Sequence, residues 1–437
     1  MRTQDATRMS TLKNTPKNKF SKAEVSWLFY DWANSAYILI VVTAVFPIFF
    51  KSVSAAGLKE NIASAYFGYA STIYAMIVAA LAPILGTIAD YEGYKKKFLF
   101  FFFALGVSGT LVLAFSPASA WLITLLIFII SAIGFAGSNL FYDSFLPDVT
   151  SSDRFHLLSA RGFAMGYIGS AIPFLIILLS FQSLPLFFEN INKGQIARGS
   201  FVLAALWWFV FSIPIFKNVQ QTQFVPKEKY IIIKAFVRLI KTFLNIRHYK
   251  YAFLFLVAYF FYIDGVSTII KMAVPYALDI HINLSSGDLL LILLVIQLVA
   301  FPFALLYGFL ANKFPRKIIW ILMSAILVYL GMTVYAFFIS TNFHFWILAL
   351  LVALCQGGVQ ALSRSYFATL IPRDKSAEFF GFYNIFGKFA AIMGPFIVGT
   401  ISQFKNIRFG VLGIAPLFII GALLLSLQFF KNGSDPV

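Results

Sequence analysis

The sequence is poor in charge and in cysteine. Only 12% of its 437 residues are charged, about half of the quarter that is usual in a soluble domain. Because 60% of the residues are hydrophobic, too little polar surface remains to cover a soluble globular fold. A disordered chain and a coiled coil are excluded by the same composition. The single cysteine, Cys355, cannot form an internal disulfide.

Motifs for catalysis and metal binding are missing as well. The sequence contains no phosphate-binding loop, no nucleophile elbow and no His-Glu-x-x-His motif. The four histidines fall in loops or at the ends of apolar runs and lack paired metal spacing; they are His156, His248, His281 and His344. We therefore expect no enzyme activity, no metal and no cofactor, and no ATP-driven transport.

Long apolar runs dominate what is present. Twelve runs are each long enough to cross a bilayer as a helix, and no alternating barrel pattern occurs. The predicted spans are 25–50, 63–88, 98–116, 121–147, 159–183, 200–216, 251–278, 288–311, 318–340, 344–371, 378–402 and 408–430. The sequence thus predicts an all-α membrane protein.

The basic residues are distributed unevenly between the two faces of this arrangement. Of the 34 Lys and Arg residues, 25 fall in the two tails and the alternate loops on their side, and 6 fall on the other side. The remaining three, Lys271, Arg364 and Lys388, lie inside spans. This bias predicts that both termini are cytoplasmic. It also accounts for the net charge of +17, so we expect no nucleic-acid partner.

The longest polar break, 217–250, separates the first six spans from the last six. Its polar residues repeat at helical spacing: Lys234, Arg238, Lys241, Asn245 and His248. Apolar residues fill the other side: Ile233, Phe236, Val237, Ile240, Phe243 and Leu244. This pattern predicts a basic amphipathic helix on the cytoplasmic membrane surface. The alternative is a solvated helix that ties two bundles together. The expected domains are a tail 1–24, a bundle 25–216, a linker 217–250, a bundle 251–430 and a tail 431–437.

The two halves repeat each other locally. Four residues after the second span match four after the eighth at an offset of 222, namely Gly86, Asp90, Gly93 and Lys95 with Gly308, Asn312, Pro315 and Lys317. Three further residues match at an offset of 225, namely Pro147, Gly162 and Gly169 with Pro372, Gly387 and Gly394. Two parallel six-helix halves are typical of secondary transporters whose binding site lies between the halves near the midplane.

These motifs also carry a resemblance to a known family. The loop GTIADYEGYKKK resembles the G-x-x-x-D-x-x-G-x-[RK]-[RK] signature of the major facilitator superfamily. Four stretches resemble its vacuole-effluxer-like branch, also called the unknown major facilitator family: YDWANSAY (30–37), SARGFAMGYIG (159–169), DGV (264–266) and GGVQALSRSYFATLIPRDKSAEFFGFYNIFGK (357–388). The resemblance implies the major facilitator fold, with two pseudo-symmetric six-helix bundles. The second-half loop departs from the signature, with Asn312 for the acid and Pro315 for glycine.

Charged and polar residues inside the spans are the candidates for substrate binding or coupling. A charge at the centre of a bilayer costs about 2.5 kcal/mol or more, so such residues usually face protein or a wet cavity. Asp31, Asn34 and Tyr37 form a polar strip on the first span. Alternatively, Asp31 merely meets water or a lysine near the cytoplasmic end.

The seventh span holds two further candidates, Asp264 and Lys271, seven residues apart on one face. They are expected to act as a pair or a proton relay, and the alternative is a static ion pair.

The fourth and tenth spans supply the rest of the candidates. Asn139 and Asp143 lie four residues apart in the fourth span, and Gln360 precedes Arg364 by one turn in the tenth. An arginine can clamp a substrate carboxylate through two parallel hydrogen bonds. Equally, Arg364 or the eleventh-span residue Lys388 is expected to close a cytoplasmic gate against Asp143, Asp148 or Glu378.

The loop after the second span is predicted to act as a conformational latch through Gly86, Asp90, Gly93 and Lys95, because glycines permit close approach and a tight turn. We therefore expect a secondary transporter that moves a small polar solute, such as an amino acid or organic anion, by alternating access. Protons are the expected coupling ion, and efflux is one possible direction. Two alternatives remain: an exporter of amphipathic or drug-like compounds, and a lipid-moving or receptor-like protein without solute flux.

The remaining expectations concern the oligomeric state, the partners and the membrane of the protein. We expect a monomer whose partners are its small-molecule substrate and membrane lipids. The expected membrane is the bacterial inner membrane for a prokaryotic source, or a vacuolar or lysosomal membrane for a eukaryotic one.

Overall fold

A computed structural model describes residues 19–187, 192–227, 230–244, 249–280 and 286–428. Within those ranges, twelve helices are long and apolar enough to cross a membrane. This confirms the predicted fold class, and the protein is an integral, multi-pass membrane protein. The expected C-terminal tail, residues 1–18 of the N-terminal tail, and the linker positions Asn245 and His248 lie outside the described residues.

The spanning helices follow the predicted apolar runs closely. The first is Lys22–Ala36, continued by Tyr37–Val45, Phe46–Phe49 and Phe50–Ser54. The second to sixth are Glu60–Ala89, Tyr94–Leu113, Trp121–Ser144, Phe155–Phe187 and Lys193–Asn218. The seventh to eleventh are Lys250–Asp279, Ser286–Lys313, Ile318–Phe337, Asn342–Leu370 and Ser376–Phe404, and the twelfth consists of Ile407–Leu412 and Ala415–Ser426. Short helices connect some of them: Leu146–Val149, Ser152–Arg154, Pro315–Lys317 and Arg373–Lys375.

The first spanning helix begins with a standard N-terminal cap and contains π-helical turns further along. Ser21 and Glu24 form a reciprocal capping box, with each side chain accepting a hydrogen bond from the other's backbone N–H at 3.1 and 2.7 Å. The helix then widens into π-helical turns over Tyr37–Val45 and Phe50–Ser54. Hydropathy does not distinguish these turns from an α-helix, so they could not be predicted from the sequence. Widened turns of this kind are frequent at functional sites.

The internal repeat is visible in how the helices pack. Gly169 of the fifth helix lies against Trp32 of the first, and a Cβ there would overlap the Trp32 backbone. At an offset of 225, Gly394 of the eleventh helix lies against Asp264 and Thr268 of the seventh. The same small residue therefore brings together the equivalent helix pair in each half, as expected for two pseudo-symmetric bundles.

Close contacts between the halves occur at one end of the molecule, called here the linker end because it holds residues 219–227 and 230–244. At this end, Gly86 of the second helix lies against the Ala377 backbone of the eleventh. Gly308 of the eighth helix likewise meets Ala160 of the fifth. Near the opposite end, a Cβ added to Gly68 or Gly399 would meet no described atom within 4 Å. The halves are thus closed together at the linker end.

The connection between the halves contains the helix expected there, Ile231–Leu244. Ala235 and Thr242 are buried against the bundle. The apolar side is exposed, at Ile233, Phe236, Val237 and Ile240. Upstream, Val225 pairs with the loop after the second helix: its N–H donates to Asp90 O at 2.9 Å and its carbonyl accepts from Glu92 N at 3.2 Å.

Candidate functional site

An arginine from the second half is held by two carboxylates from the first. Arg364 donates from Nη1 to Asp143 Oδ1 at 2.9 Å and from Nη2 to Asp31 Oδ2 at 3.1 Å. It also donates to the Oγ and backbone oxygen of Ser159, at 2.9 and 3.0 Å. Four of the five guanidinium N–H groups can be engaged in this way. The four residues, called here the Arg364 cluster, join the first, fourth and fifth helices to the tenth.

Aromatic rings enclose the guanidinium of the cluster. Its central carbon lies 4.3 Å from the ring centroid of Phe163 and 4.7 Å from that of Trp27, with Tyr142 at 5.6 Å. Arg364 is only 2% exposed. Both ion pairs and cation–π contacts are stronger when water is excluded. Because the cluster is enclosed, removal of a single partner would leave a buried charge unpaired, which costs free energy.

A glycine leaves room for the cluster. A Cβ on Gly162 would overlap the Asp31 carboxylate and come within 2.9 Å of Arg364 Nη2. Any other residue would displace the Asp31 carboxylate from Arg364 or move the fifth helix away from the ion pairs. From the sequence, Gly162 was identified only as one of the residues repeated at an offset of 225, although it lies in the Ser-Ala-Arg-Gly stretch that carries the family resemblance.

One turn further from the linker end, other predicted residues follow. Asn34 donates from Nδ2 to Asn139 Oδ1 at 2.7 Å, so the first and fourth helices are joined again. Gln360 lies one turn before Arg364 and is partly exposed. Tyr37, by contrast, is fully buried within the first half. Its hydroxyl accepts from Ser131 Oγ at 3.1 Å, and its ring stacks on Phe135 at 4.7 Å.

Asp264 lies outside the Arg364 cluster. Both of its carboxylate oxygens are 3.0 Å from the backbone N of Gly394, and Thr268 Oγ1 is 3.4 Å from one of them. Asp264 therefore joins the seventh helix to the eleventh within the second half. Lys271 is exposed and close enough to interact with the charge of Asp264. The expected pair or relay stays a prediction.

Lys388 lies on the eleventh helix opposite the second helix. The side chain is half-buried, and its Nζ is 5.8 Å from the ring centroid of Tyr74. It does not contact the carboxylates that the gate hypothesis suggested for it, since Arg364 binds Asp143, Lys95 binds Asp148, and Arg238 binds Glu378.

The predicted latch residues join the halves at the linker end. Asp90 accepts hydrogen bonds from the backbone N–H groups of Ala377 and Glu378 at 2.8 and 2.9 Å, at the beginning of the eleventh helix. A carboxylate there is favoured by the helix dipole. Burial raises the pKa of Asp90 to about 7, although the nearby cations Lys95 and Arg238 lower it.

The other latch residues support this contact. Gly93 has φ +78°, a left-handed conformation that glycine adopts without strain. Lys95 Nζ donates to Asp148 Oδ2 at 2.7 Å and to Ser376 Oγ at 2.9 Å, so it too reaches the second half. Asp148 Oδ1 in turn accepts from the backbone of Thr222 at 2.6 Å, which fixes the segment after the sixth helix.

Arg238 also contacts the predicted latch, although the sequence did not indicate it. From the linker helix, its Nε donates to Glu378 Oε2 at 3.0 Å, and its Nη2 donates to Asp90 Oδ2 at 3.2 Å and to Thr87 O at 2.6 Å. It was predicted to lie on the polar side of an amphipathic helix at the membrane surface. The available signal was the helical spacing of Arg238 from the small residues Ala235 and Thr242, which are the ones that pack on the bundle.

Comparisons with known proteins agree with this architecture. A family profile described as "Vacuole effluxer Atg22 like" matches residues 52–435. The chain belongs to this family. The predicted family is thereby confirmed, and the expected transporter class is supported. An MFS-type transporter of Bacillus subtilis, YxiO, is 50% identical over 424 residues, which cover 95% of this chain and 97% of that protein.

More distant relatives and solved structures extend the comparison. Autophagy-related protein 22 of Saccharomyces cerevisiae is 25% identical over 313 residues, or 63% of this chain and 58% of that protein. Among solved structures, the human organic anion transporter MFSD10 superposes with a TM-score of 0.69 at 12% identity, covering 94% of this chain and 100% of that one. The transporter FucP in its outward conformation gives a TM-score of 0.64 at 14% identity, covering 93% and 98%. These likenesses show the major facilitator fold.

Proposed function

We propose that this Atg22-like protein is a secondary active transporter that moves a small polar solute by alternating access. The observation that carries the proposal is the Arg364 cluster. Arg364 belongs to the second half, and Asp31 and Asp143 belong to the first. A buried ion-pair network between two halves has two discrete states, joined and separated, which is what a gate needs.

The position of the cluster supports a gate. Arg364 lies six residues, about 9 Å, before the tenth helix ends at Leu370. The contacts of Asp90 with the beginning of the eleventh helix lie still nearer the linker end. Two layers of contacts therefore close the path there. Rocking of the halves would break both layers and open the path at the linker end.

A substrate clamp at Arg364 remains the competing role. The donors of Arg364 are occupied by Asp31, Asp143 and Ser159 in this conformation. A substrate carboxylate would have to displace one of these partners. Since the protein's own carboxylates already satisfy the guanidinium, we favour the gate.

The charge balance of the cluster supports protons as the coupling ion. Two carboxylates face one guanidinium, so the cluster carries a formal charge of −1 when both acids are ionised. Separation of the halves would remove the cation and leave Asp31 and Asp143 as like charges near each other. A proton bound to one of them would offset that repulsion. Opening of the gate would thereby depend on proton binding.

The basic loops suggest which side the linker end faces. Because 25 of the 34 Lys and Arg residues lie on that side, we propose that the linker end and both termini are cytoplasmic. The exposed apolar side of the linker helix, with Ile233 and Ile240, would then lie in the cytoplasmic leaflet. In this orientation the closed linker end corresponds to an outward-facing transporter. Efflux is the direction we propose.

Reconstitution into liposomes tests the proposal. The full-length protein is combined with a panel of labelled solutes, with and without an imposed pH gradient. Saturable flux that responds to the gradient, and is lost in Asp31→Asn with Asp143→Asn, is expected. Flux of amphipathic dyes alone would support the drug-exporter alternative. Transfer of labelled lipid without solute flux would support a scramblase, and no flux of any kind would support a receptor.

A further inference from the structure

A cation halfway across the membrane is the strongest feature that the gate does not use. Lys388 lies twelve residues, about 18 Å, after the start of the eleventh helix at Ser376, which runs to Phe404. That depth is close to the bilayer midplane. Because the Arg364 cluster lies nearer the linker end, Lys388 is on the side of the gate that faces the end opposite the linker.

The other ionised groups of the spans that face a neighbouring helix have partners that offset their charge. Arg364 has two carboxylates, Lys95 has Asp148, and Asp264 has the Gly394 N–H. Lys388 differs. In the described parts of the chain it takes part in no ion pair, and its neighbours include the Tyr74 ring and the like charge of Lys271.

A second polar group on the same helix face lacks a partner. Asn384 precedes Lys388 by four residues, so the two side chains lie one above the other. The side-chain oxygen of Asn384 is buried and has no hydrogen-bond partner among the described residues. A buried amide without a partner is costly, as is an ammonium group without a counter-ion.

The position of Lys388 is between the halves. Its Nζ faces Tyr74 of the second helix, which belongs to the first half. An anion bound to Lys388 would thus also contact the first half. A rocking transporter can release a ligand to either side of the membrane when the ligand binds between the halves near the midplane.

We propose that Lys388 binds the anionic group of the transported solute, so that the substrate is an organic anion carrying a carboxylate. This inference rests on the proposed transport function and specifies its substrate class. The carboxylate supplies the counter-charge that the site lacks, and the unpartnered Oδ1 of Asn384 accepts a hydrogen bond from a donor group elsewhere on the same solute. The Tyr74 ring forms the facing wall. Arg364 then serves the gate, and Lys388 serves the substrate.

Thermal unfolding of the purified full-length protein gives the first test. The probes are carboxylates paired with amines of matched carbon skeleton: succinate with putrescine, and benzoate with benzylamine. A carboxylate is expected to raise the melting temperature more than its matched amine, because a ligand of the folded state stabilises it. In Lys388→Gln the affinity should fall about tenfold to a hundredfold, the value of a charged hydrogen bond. Lys388→Arg should retain part of it, and the loop variant Lys59→Gln should be unchanged.

The opposite pattern overturns the inference. Equal stabilisation by the matched amines, or an unchanged response in Lys388→Gln, means that Lys388 does not bind the anion. A cysteine test does not need the ligand. In the Cys355→Ala background, Lys388→Cys should react with a negatively charged methanethiosulfonate added at the end opposite the linker. Failure to react would show that the position does not line the open path.

Failure of this inference is distinguishable from failure of the proposed function. Saturable flux of neutral or cationic solutes only, with Lys388→Gln fully active, would leave the transporter standing and remove the anion site. Anion-dependent stabilisation that needs Lys388, without flux of any solute in liposomes, would leave the binding site standing and remove the transport function.

Discussion

Replacement of Arg364 by glutamine should open the linker end. The change removes a guanidinium that makes four hydrogen bonds and leaves the buried Asp31 and the partly buried Asp143 without their cation. Removing one partner of a buried ion pair typically costs about 3–5 kcal/mol. Because the network exists only when the halves are joined, this cost falls on the closed conformation. A loss of about 3 kcal/mol shifts the equilibrium by roughly a hundredfold or more toward the open state.

Distance measurements between spin labels across the linker end provide the assay. Lys97 in the first half and Asp374 in the second are both exposed, and Cys355→Ala leaves no other thiol in the chain. The parent protein should show the shorter distance, and Arg364→Gln should show a large population at a longer distance. Arg161→Gln is the matched control, because Arg161 is exposed and packs on Phe20 outside the cluster. An unchanged distance distribution in Arg364→Gln would refute the assignment of the cluster as a gate.

Four further results are expected. Gly162→Ala should lower the melting temperature, because the overlap of the new Cβ with Asp31 costs about 1–3 kcal/mol of stability. Gly68→Ala is the control and should not lower it, since a Cβ there meets open space. Equal effects of the two substitutions would contradict the packing argument. Since the Asp90 pKa is raised to about 7 in the closed state from about 4 when exposed, the closed state binds more protons in that range. Lowering the pH from 8 to 5 should therefore favour the short distance between Lys97 and Asp374 more in the parent protein than in Asp90→Asn, in which the acids of the Arg364 cluster still titrate, and an identical pH response in the two proteins would exclude Asp90 as a contributor. Arg238→Gln should lengthen that distance, and the exposed Lys241→Gln should not, as measured with the same labels. Asp264→Asn should abolish the response of flux to a pH gradient if Asp264 carries the proton, and a fully retained response would remove it from the relay.

Much of the fold could be predicted from the sequence because the bilayer imposes simple demands. An apolar run of some twenty residues has few alternatives to a spanning helix. The repeat at offset 225 even indicated equivalent packing, as Gly169 and Gly394 show. The π-helical turns after Ala36 were not predictable, since composition does not report the width of a helix.

The candidate site was only partly predictable, because pairing across the chain depends on how helices rotate. Intramembrane charge identified Asp31, Asp143 and Arg364, and the hypothesis of a gate already paired Arg364 with Asp143. The addition of Asp31 depends on Gly162, which lets the fifth helix approach. The role of Arg238 was missed because amphipathic spacing shows which residues share a face, and not what that face packs against.

Cross-linking of the linker end tests the central claim most directly. In the Cys355→Ala background, cysteines at Lys97 and Asp374 are joined by a short, reducible bifunctional thiol reagent, and flux of a transported solute is measured in liposomes before and after reduction. If the halves must separate there in every cycle, the cross-linked protein should lose flux and regain it on reduction. Flux at the full rate with the cross-link intact would show that the linker end does not open during transport.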